Sequence, residues 1–263
     1  MSFLSSNSEC SLAGIGVLVT RATHQAATLC RLIAAKDGLP LRFPTVEILD
    51  PPDPGAVTRQ LEQFSRYDIA IFISPNAVLW GLKWAPDQEL PEGVALAAVG
   101  KRTAQTLAES GYPVDVVPEE SFDSEGLLET PELRDVQGKR ILILRGNGGR
   151  ELLGEELSKR GAVVDHVEVY QRACPTLEPD NLIYRWADDV DVVTVTSNIL
   201  LDNLFTLLGV EGRPLLLQTP MVVVSDRMRQ HARELGCSQI ILAPGADEQD
   251  LIKAICQWVS NRN

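Results

Sequence analysis

ILILRGNGGR, residues 141–150, runs from four strand-favouring apolar side chains into Arg145 and three clustered glycines. A helical pattern over 151–160 follows and stops at Gly161. A strand whose carboxyl end opens onto glycines and a helix start is how α/β proteins build anion sites. The plan recurs near the start of the chain: Val17-Leu18-Val19-Thr20-Arg21, then a helical run. Arg145 lies 124 residues beyond Arg21, and that interval organises the chain.

Other landmarks repeat at almost the same offset. Ser74, after the strand-like run 69–73, matches Ser197, after VTVT, 123 residues on. AVGKRTAQTLAESG, ending at Gly111, matches VVSDRMRQHARELG, ending at Gly236, at 125. Pro118 after VDVV matches Pro244 after IILA at 126. Landmarks in one order at one interval mark an internal duplication. The expected fold is therefore α/β, with two similar parallel-sheet domains and a cleft between them.

The elements read in the same sense. Residues 14–20 form a buried strand, and Thr23 is placed to cap a helix over 24–36 that Asp37-Gly38 stops. Residues 39–50 are extended, with Pro40 and Pro44 restricting them to an edge or connecting strand. Ser74-Pro75 is a helix start, with Ser as N-cap and Pro in the first turn. Strands are expected over 94–99, 114–117, 163–172, 192–195, 221–224 and 240–242, and Ser124 is expected to cap a helix over 125–129.

Composition narrows the class. With 263 residues, 44% of them hydrophobic, the chain can bury a large core. A net charge of −12 and a pI near 4.8 argue against binding nucleic acid or an anionic membrane. The five cysteines are scattered without a CxxC pair, which predicts reduced thiols and core packing. No basic residue precedes Arg21, so the leading MSFLSSNSECSLAG lacks a signal peptide's charged region and reads as a disordered lead. A cytoplasmic location is expected.

If the strand ends of both domains face a shared cleft, the residues just after each strand form one composite site. They are Thr20-Arg21, Ser74-Pro75-Asn76, 100–103, 145–149, Thr196-Ser197-Asn198 and 225–227. The set holds hydroxyls, amides, glycines and arginines but no histidine or cysteine, which suits carboxylates or phosphates. Each serine also has a plain role as a helix cap. A dinucleotide fingerprint fails because Glu151 stands where the third glycine belongs. Gly100-Lys101 is no P-loop, since Arg102 replaces the magnesium-binding hydroxyl and Ala95 the first glycine. His24, His166 and His231 share no ligand spacing, so no metal is expected. A GxSxG elbow is absent.

An ordered series of motifs then resembles the uroporphyrinogen-III synthase family, in its proteobacterial branch. It comprises VLVTR (17–21), FISPNAV (72–78), AAVGKRTAQTL (97–107), SEGLL (124–128), ILRGNGGRELL (143–153), LSKRGAVV (157–164), VEVYQR (167–172), VTSN (195–198) and VVVSDRMRQHARELG (222–236). The series covers nearly the whole chain from Gly14. It implies a chain that crosses between domains twice: domain 1 from 1–38 and 174–263, domain 2 from 48–163, with 39–47 and 164–173 as linkers paired in a two-stranded hinge. The repeat alone would divide the chain near 135–138.

The implied reaction is cyclisation of hydroxymethylbilane, a carboxylate-rich linear tetrapyrrole, with loss of water and inversion of the terminal ring D. Ring D attacks an azafulvene-like cation through its substituted carbon, and the resulting spiro intermediate fragments and recloses. Unaided closure gives the uninverted isomer, so the task is control of shape more than proton transfer. No cofactor is implied. Tyr170 is the catalytic candidate, assisting departure of the hydroxyl. Thr20, Arg21, Ser74, Asn76, Gly100, Thr103, Ser124, Gly126, Arg145, Thr196, Ser197, Ser225 and Arg227 are the expected substrate cradle. A monomer is expected, in transient contact with hydroxymethylbilane synthase. The competing expectation is a non-enzymatic two-domain protein that binds an anionic small molecule.

Overall fold

The computed structural model describes residues 10–148 and 151–262. Most of the expected disordered lead, residues 1–9, lies outside them, as do Gly149 and Arg150 of the glycine loop. In chain order the first elements are β1 (Gly16–Val19), α1 (Thr23–Ala34), β2 (Leu39–Arg42), β3 (Glu47–Leu49), α2 (Pro54–Leu61), β4 (Ile69–Phe72), α3 (Pro75–Trp84), β5 (Ala95–Ala98) and α4 (Lys101–Glu109). Next come α5 (Ser124–Leu128), α6 (Pro131–Arg134), β6 (Arg140–Gly146), α7 (Leu152–Lys159) and β7 (Val163–Ala173). The last part holds α8 (Asp180–Tyr184), α9 (Trp186–Asp189), β8 (Val192–Thr194), α10 (Asn198–Gln218), β9 (Met221–Val223), α11 (Asp226–Glu234), β10 (Ile240–Leu242) and α12 (Glu248–Ser260).

The chain divides into unit 1, Met1–Glu47 with Ala173–Asn263, and unit 2, Ile48–Arg172. One sheet runs β10-β9-β8-β1-β2 and the other β3-β7-β6-β4-β5. The pairings of β1 with β2 and β8, β9 with β8 and β10, β4 with β5 and β6, and β6 with β7 are parallel. The duplication is visible in this topology: β2-β1-β8-β9 has the same order as β7-β6-β4-β5. The fifth strand of the unit 1 sheet, β10, is matched in unit 2 only by an isolated bridge, Ala97 to Val116. The strand expected over 114–117 therefore does not form. The Asp115 side chain takes the Leu96 amide at 2.8 Å, and Pro118 has no amide with which to continue the ladder.

Both faces of the unit 2 sheet are covered. In β6, Ile141 and Ile143 join Ile69, Ile71, Leu153 and Leu157 on one side. Leu142 and Leu144 join Ala70, Phe72, Val78 and Val169 on the other. Alternate residues point to opposite faces, so a sheet sandwiched between helices needs apolar side chains at successive positions, and ILIL supplies them. In unit 1, Val17, Val19, Val192 and Val222 pack with Leu29, Ile33, Leu251 and Ile255 of α1 and α12. Gly111 and Gly236 both end helices with a left-handed φ, 92° and 101°, which accounts for glycine at this point of each repeat.

The extended runs expected over 39–50 and 163–172 form strands at Leu39–Arg42, Glu47–Leu49 and Val163–Ala173. β2 is the edge strand beside β1, where the missing Pro40 amide is tolerated, and β7 lies beside β6. Only Glu47–Leu49 neighbours β7. Ala22, not Thr23, precedes α1, and no side chain caps that helix. Asp123, not Ser124, caps α5 by accepting the Gly126 amide. The expectation of wholly reduced thiols fails as well. Cys10 and Cys256 form a disulfide with Cα atoms 5.8 Å apart, joining the start of the described chain to α12. Cys30 and Cys237 are buried free thiols, and Cys174 is an exposed one. Among the described residues no helix is long and apolar enough to cross a membrane.

Candidate functional site

In unit 2 the carboxyl ends of β4, β5, β6 and β7 carry most of the expected site residues. Ser74 follows β4 with extended backbone (φ −162°), and its Oγ accepts the Ala77 amide at 3.1 Å. The same Oγ lies 3.1 Å from the Tyr170 hydroxyl. The two residues are 96 apart in the chain, and a β-bulge explains how they meet. Arg145 pairs with Glu168, but the next residue, Gly146, pairs with Tyr170, so one residue of β7 is unmatched. A bulge of this kind re-aims the side chains beyond it. Val169 and Tyr170 both enter the same core cluster, beside Trp80, whose ring centroid is 6.0 Å from that of Tyr170.

Tyr170 is only 2% exposed and its ring lies flush on Gly146. A Cβ at Gly146 would stand 2.5 Å from the ring, so the glycine in the RGNG loop makes room for the tyrosine. Asn147 continues the strand pairing with its side chain. Its Oδ1 accepts the Arg172 amide at 2.6 Å, its Nδ2 donates to the Arg172 carbonyl at 3.3 Å, and its backbone amide donates to the Tyr170 carbonyl at 3.1 Å.

The remaining unit 2 candidates divide. Asn76 and Thr103 are buried on α3 and α4. Half-buried Gly100 precedes α4, with the Phe122 side chain 3.6 Å from where its Cβ would be. Gly126 packs against the Ser121 carbonyl, where a Cβ would not fit. Arg145 departs from its expected role. Its guanidinium turns back on its own loop, donating from Nη1 to Glu151 at 2.9 Å and from Nη2 to the Gly148 carbonyl at 2.6 Å, and it is 5% exposed.

Unit 2 also holds a partly open pocket of about 210 Å³. Ile73, Val99, Ile143 and Leu153 give it apolar walls, and Ser124, Arg145, His166 and Arg172 give it polar ones. His166 and Arg172 were absent from the expected site: His166 drew attention only as a failed metal ligand. Their spacing along one strand carries no signal without the bulge and the neighbouring helix. The His166 ring packs over Gly154, where a Cβ would sit 2.7 Å away. Burial first and the Arg145 charge second push its pKa below the ordinary 6.5, against the opposing pull of Glu151, Asp165 and Glu168. A histidine held neutral in the fold takes up its proton more readily when unfolded. Stability is thus expected to fall as pH drops below 6.5 and to level off under the lowered native pKa. Urea titrations between pH 7.5 and about 5 should show a shallower decline for His166→Gln; identical slopes would contradict the placement of the ring.

In unit 1 the corners are more structural. Thr20 is fully buried and donates to the Thr194 carbonyl at 2.7 Å, while Thr194 returns a bond to the Leu18 carbonyl. Thr20 therefore ties two strands together and offers no exposed surface for a ligand. Arg21 is likewise 6% exposed, donating to Glu248 at 2.6 Å and to the Ala246 carbonyl at 2.5 Å. Both arginines of the repeat, Arg21 and Arg145, brace loops. Half-buried Ser197 and Ser225 cap α10 and α11 through the Leu200 and Met228 amides. Thr196 is half-buried and Arg227 exposed beside them. Among the described residues no group of three or more His, Cys, Asp or Glu side chains could hold a metal.

Comparison with known proteins agrees with this architecture. The family model described as "Uroporphyrinogen-III synthase HemD" matches residues 27–253. A uroporphyrinogen-III synthase of Escherichia coli is 34% identical over 245 residues, spanning 92% of this chain and 100% of that protein. One from Salmonella typhimurium is 33% identical, with 92% and 100% covered. Among solved structures, a mutant uroporphyrinogen III synthase of Thermus thermophilus has a TM-score of 0.63 at 18% identity, covering 94% of this chain and 99% of its own. The enzyme of Helicobacter pylori gives 0.62 at 15%, covering 93% and 99%. At such low identity the structures speak for the fold, and the family assignment rests on the sequence matches. This chain belongs to the uroporphyrinogen-III synthase family.

Proposed function

We propose that the chain cyclises hydroxymethylbilane to uroporphyrinogen III, releasing water and inverting ring D. The observation that carries this reading is the family match across 27–253 together with full-length similarity to the enteric synthases. The chemistry of the strand ends is compatible with it: hydroxyls and backbone amides can orient a polycarboxylate, and little acid–base machinery is needed when the difficulty is geometric. Within unit 2 the Ser74–Tyr170 pair is the group best placed to assist loss of the hydroxyl. Ser74 Oγ already accepts from Ala77, so a proton donated by Tyr170 leaves the serine's own O–H free to turn towards the leaving group. Ser74 then touches the substrate and Tyr170 positions it from behind. A cytoplasmic monomer, in transient contact with hydroxymethylbilane synthase, completes the reading.

The test is a coupled assay with freshly generated hydroxymethylbilane, followed by oxidation and chromatographic separation of the porphyrin isomers. Isomer III should predominate and its yield should scale with the amount of protein. Isomer I alone would overturn the proposal and favour a binding protein for anionic small molecules.

A further inference from the structure

The Tyr170 ring has a neighbour with an anchor of its own. Trp80, on α3, places its ring centroid 6.0 Å from that of Tyr170 with the planes 51° apart, a tilted contact within the range of aromatic attraction. Its indole N–H donates to Asp50 Oδ1 at 3.1 Å, and Lys83, on the next turn of α3, donates to the same oxygen. An indole carries one donor, so a bond to it fixes how the ring is turned. Asp50 thereby orients Trp80, and Trp80 bears on the tyrosine. The Lys83 bond above all, aided by Trp80 and opposed by desolvation, holds the Asp50 carboxyl below its ordinary 3.8, which keeps the acceptor ionised.

The strand that carries Tyr170 is held from the same quarter. The Asp50 carbonyl accepts from Gln171 Nε2 at 3.1 Å, and Trp84 Nε1 donates to the Val169 carbonyl at 3.0 Å. The residues on either side of Tyr170 are thus tied to Asp50 or to α3. That helix also begins at the Ser74 cap, so the 3.1 Å contact between Ser74 Oγ and the Tyr170 hydroxyl joins two elements that this cluster braces together. The Asp50 and Lys83 side chains are exposed, at 49% and 47%, where an ion pair adds little to stability. What the carboxylate supplies is direction. We propose that Asp50 and Trp80 are positioning residues that keep the Tyr170 hydroxyl on Ser74. The consequence for turnover rests on the synthase reading; the geometry does not.

The place of the ring is read by fluorine NMR on protein carrying meta-fluorotyrosine, with Tyr170 assigned from Tyr170→Phe. Asp50→Ala should shift the Tyr170 signal and leave those of Tyr112 and Tyr184 in place. Asp50→Asn, which keeps an oxygen acceptor for the indole, should leave all of them near their wild-type positions. In the cyclisation assay Asp50→Ala should lower kcat by roughly 3- to 10-fold, the worth of one hydrogen bond, with little change in KM. In a Tyr170→Phe background the same substitution should cost nothing further, because no hydroxyl remains to be placed. Trp80→Phe keeps a ring but no donor; it should repeat both kinetic results and serves if Asp50→Ala does not fold. An unmoved Tyr170 signal overturns the proposal, whatever the kinetics. A shifted signal with unchanged kcat, or losses that multiply in the Tyr170→Phe background, overturns the role in turnover. If the wild-type protein makes no isomer III while the Tyr170 signal responds as described, the synthase reading fails and the placement of Tyr170 by Asp50 stands.

Discussion

Glu248→Ala is expected to lower the stability of the protein by about 3 kcal/mol in urea unfolding. The side chains of Arg21 and Glu248 are 7% and 13% exposed, so neither is in free contact with water. Deleting the carboxylate takes the buried guanidinium's counter-charge away and leaves the neutral Ala246 carbonyl accepting from it at 2.5 Å. The matching pair in unit 2 provides the comparison. Arg145 is equally buried, but its partner Glu151 is 59% exposed. Water can replace that carboxylate, and Glu151→Ala should cost only about 1 kcal/mol. The doubly substituted Arg21→Met, Glu248→Leu protein should lose less than Glu248→Ala alone, because no charge is stranded. Equal losses for the two glutamates would show that burial does not govern the pair.

These two arginines also show where sequence reasoning ran out. Arg21 and Arg145 follow corresponding strands, and the internal repeat made their equivalence plain. A basic residue at a strand's carboxyl end reads naturally as an anion grip, since ligands of parallel sheets bind there. What decides otherwise is the partner. Glu248 is 227 residues from Arg21 and belongs to a part of the chain whose neighbourhood the repeat does not specify. Glu151, six residues from Arg145, was visible but was read only as the residue that spoils a dinucleotide motif. Thr20 followed the same course, its hydroxyl being consumed by the next strand.

The sheets were legible for a different reason. Burial on both faces leaves a strong trace in the sequence: uninterrupted apolar runs such as ILIL and VLV, each followed by an arginine-bearing corner and then a helical period. Residues 163–173 lacked that trace because β7 carries charged and polar side chains at 165, 166, 168, 171 and 172. Val167, Val169 and Tyr170 serve one face, while only Val164 packs against the cluster on the other. The strand's extended character is legible over 163–172, but the bulge that joins Tyr170 to Ser74 leaves no trace in the residue pattern. The Cys10–Cys256 pairing was hidden likewise, its two members 246 residues apart.

Tyr170→Phe tests the consequence of that bulge and should have the largest effect on turnover. Loss of the phenol is expected to reduce kcat by roughly 100-fold, the bottom of the range for a group that assists proton transfer. KM should change less, since a hydroxyl buried at 2% exposure contributes little to the initial binding of substrate. The folded state should lose only about 1 kcal/mol, because the ring still fills the space over Gly146 and only the bond to Ser74 is absent. Ser74→Ala removes both the α3 cap and the hydroxyl proposed to meet the leaving group, and should be at least as slow. If the tyrosine works through the serine, the double variant will be no slower than Ser74→Ala alone, whereas independent roles would multiply the two losses. Turnover of folded Tyr170→Phe within twofold of wild type would remove the pair from the mechanism. The strand-end corners would then be left to steer ring closure by orientation alone, without assistance to the departing hydroxyl.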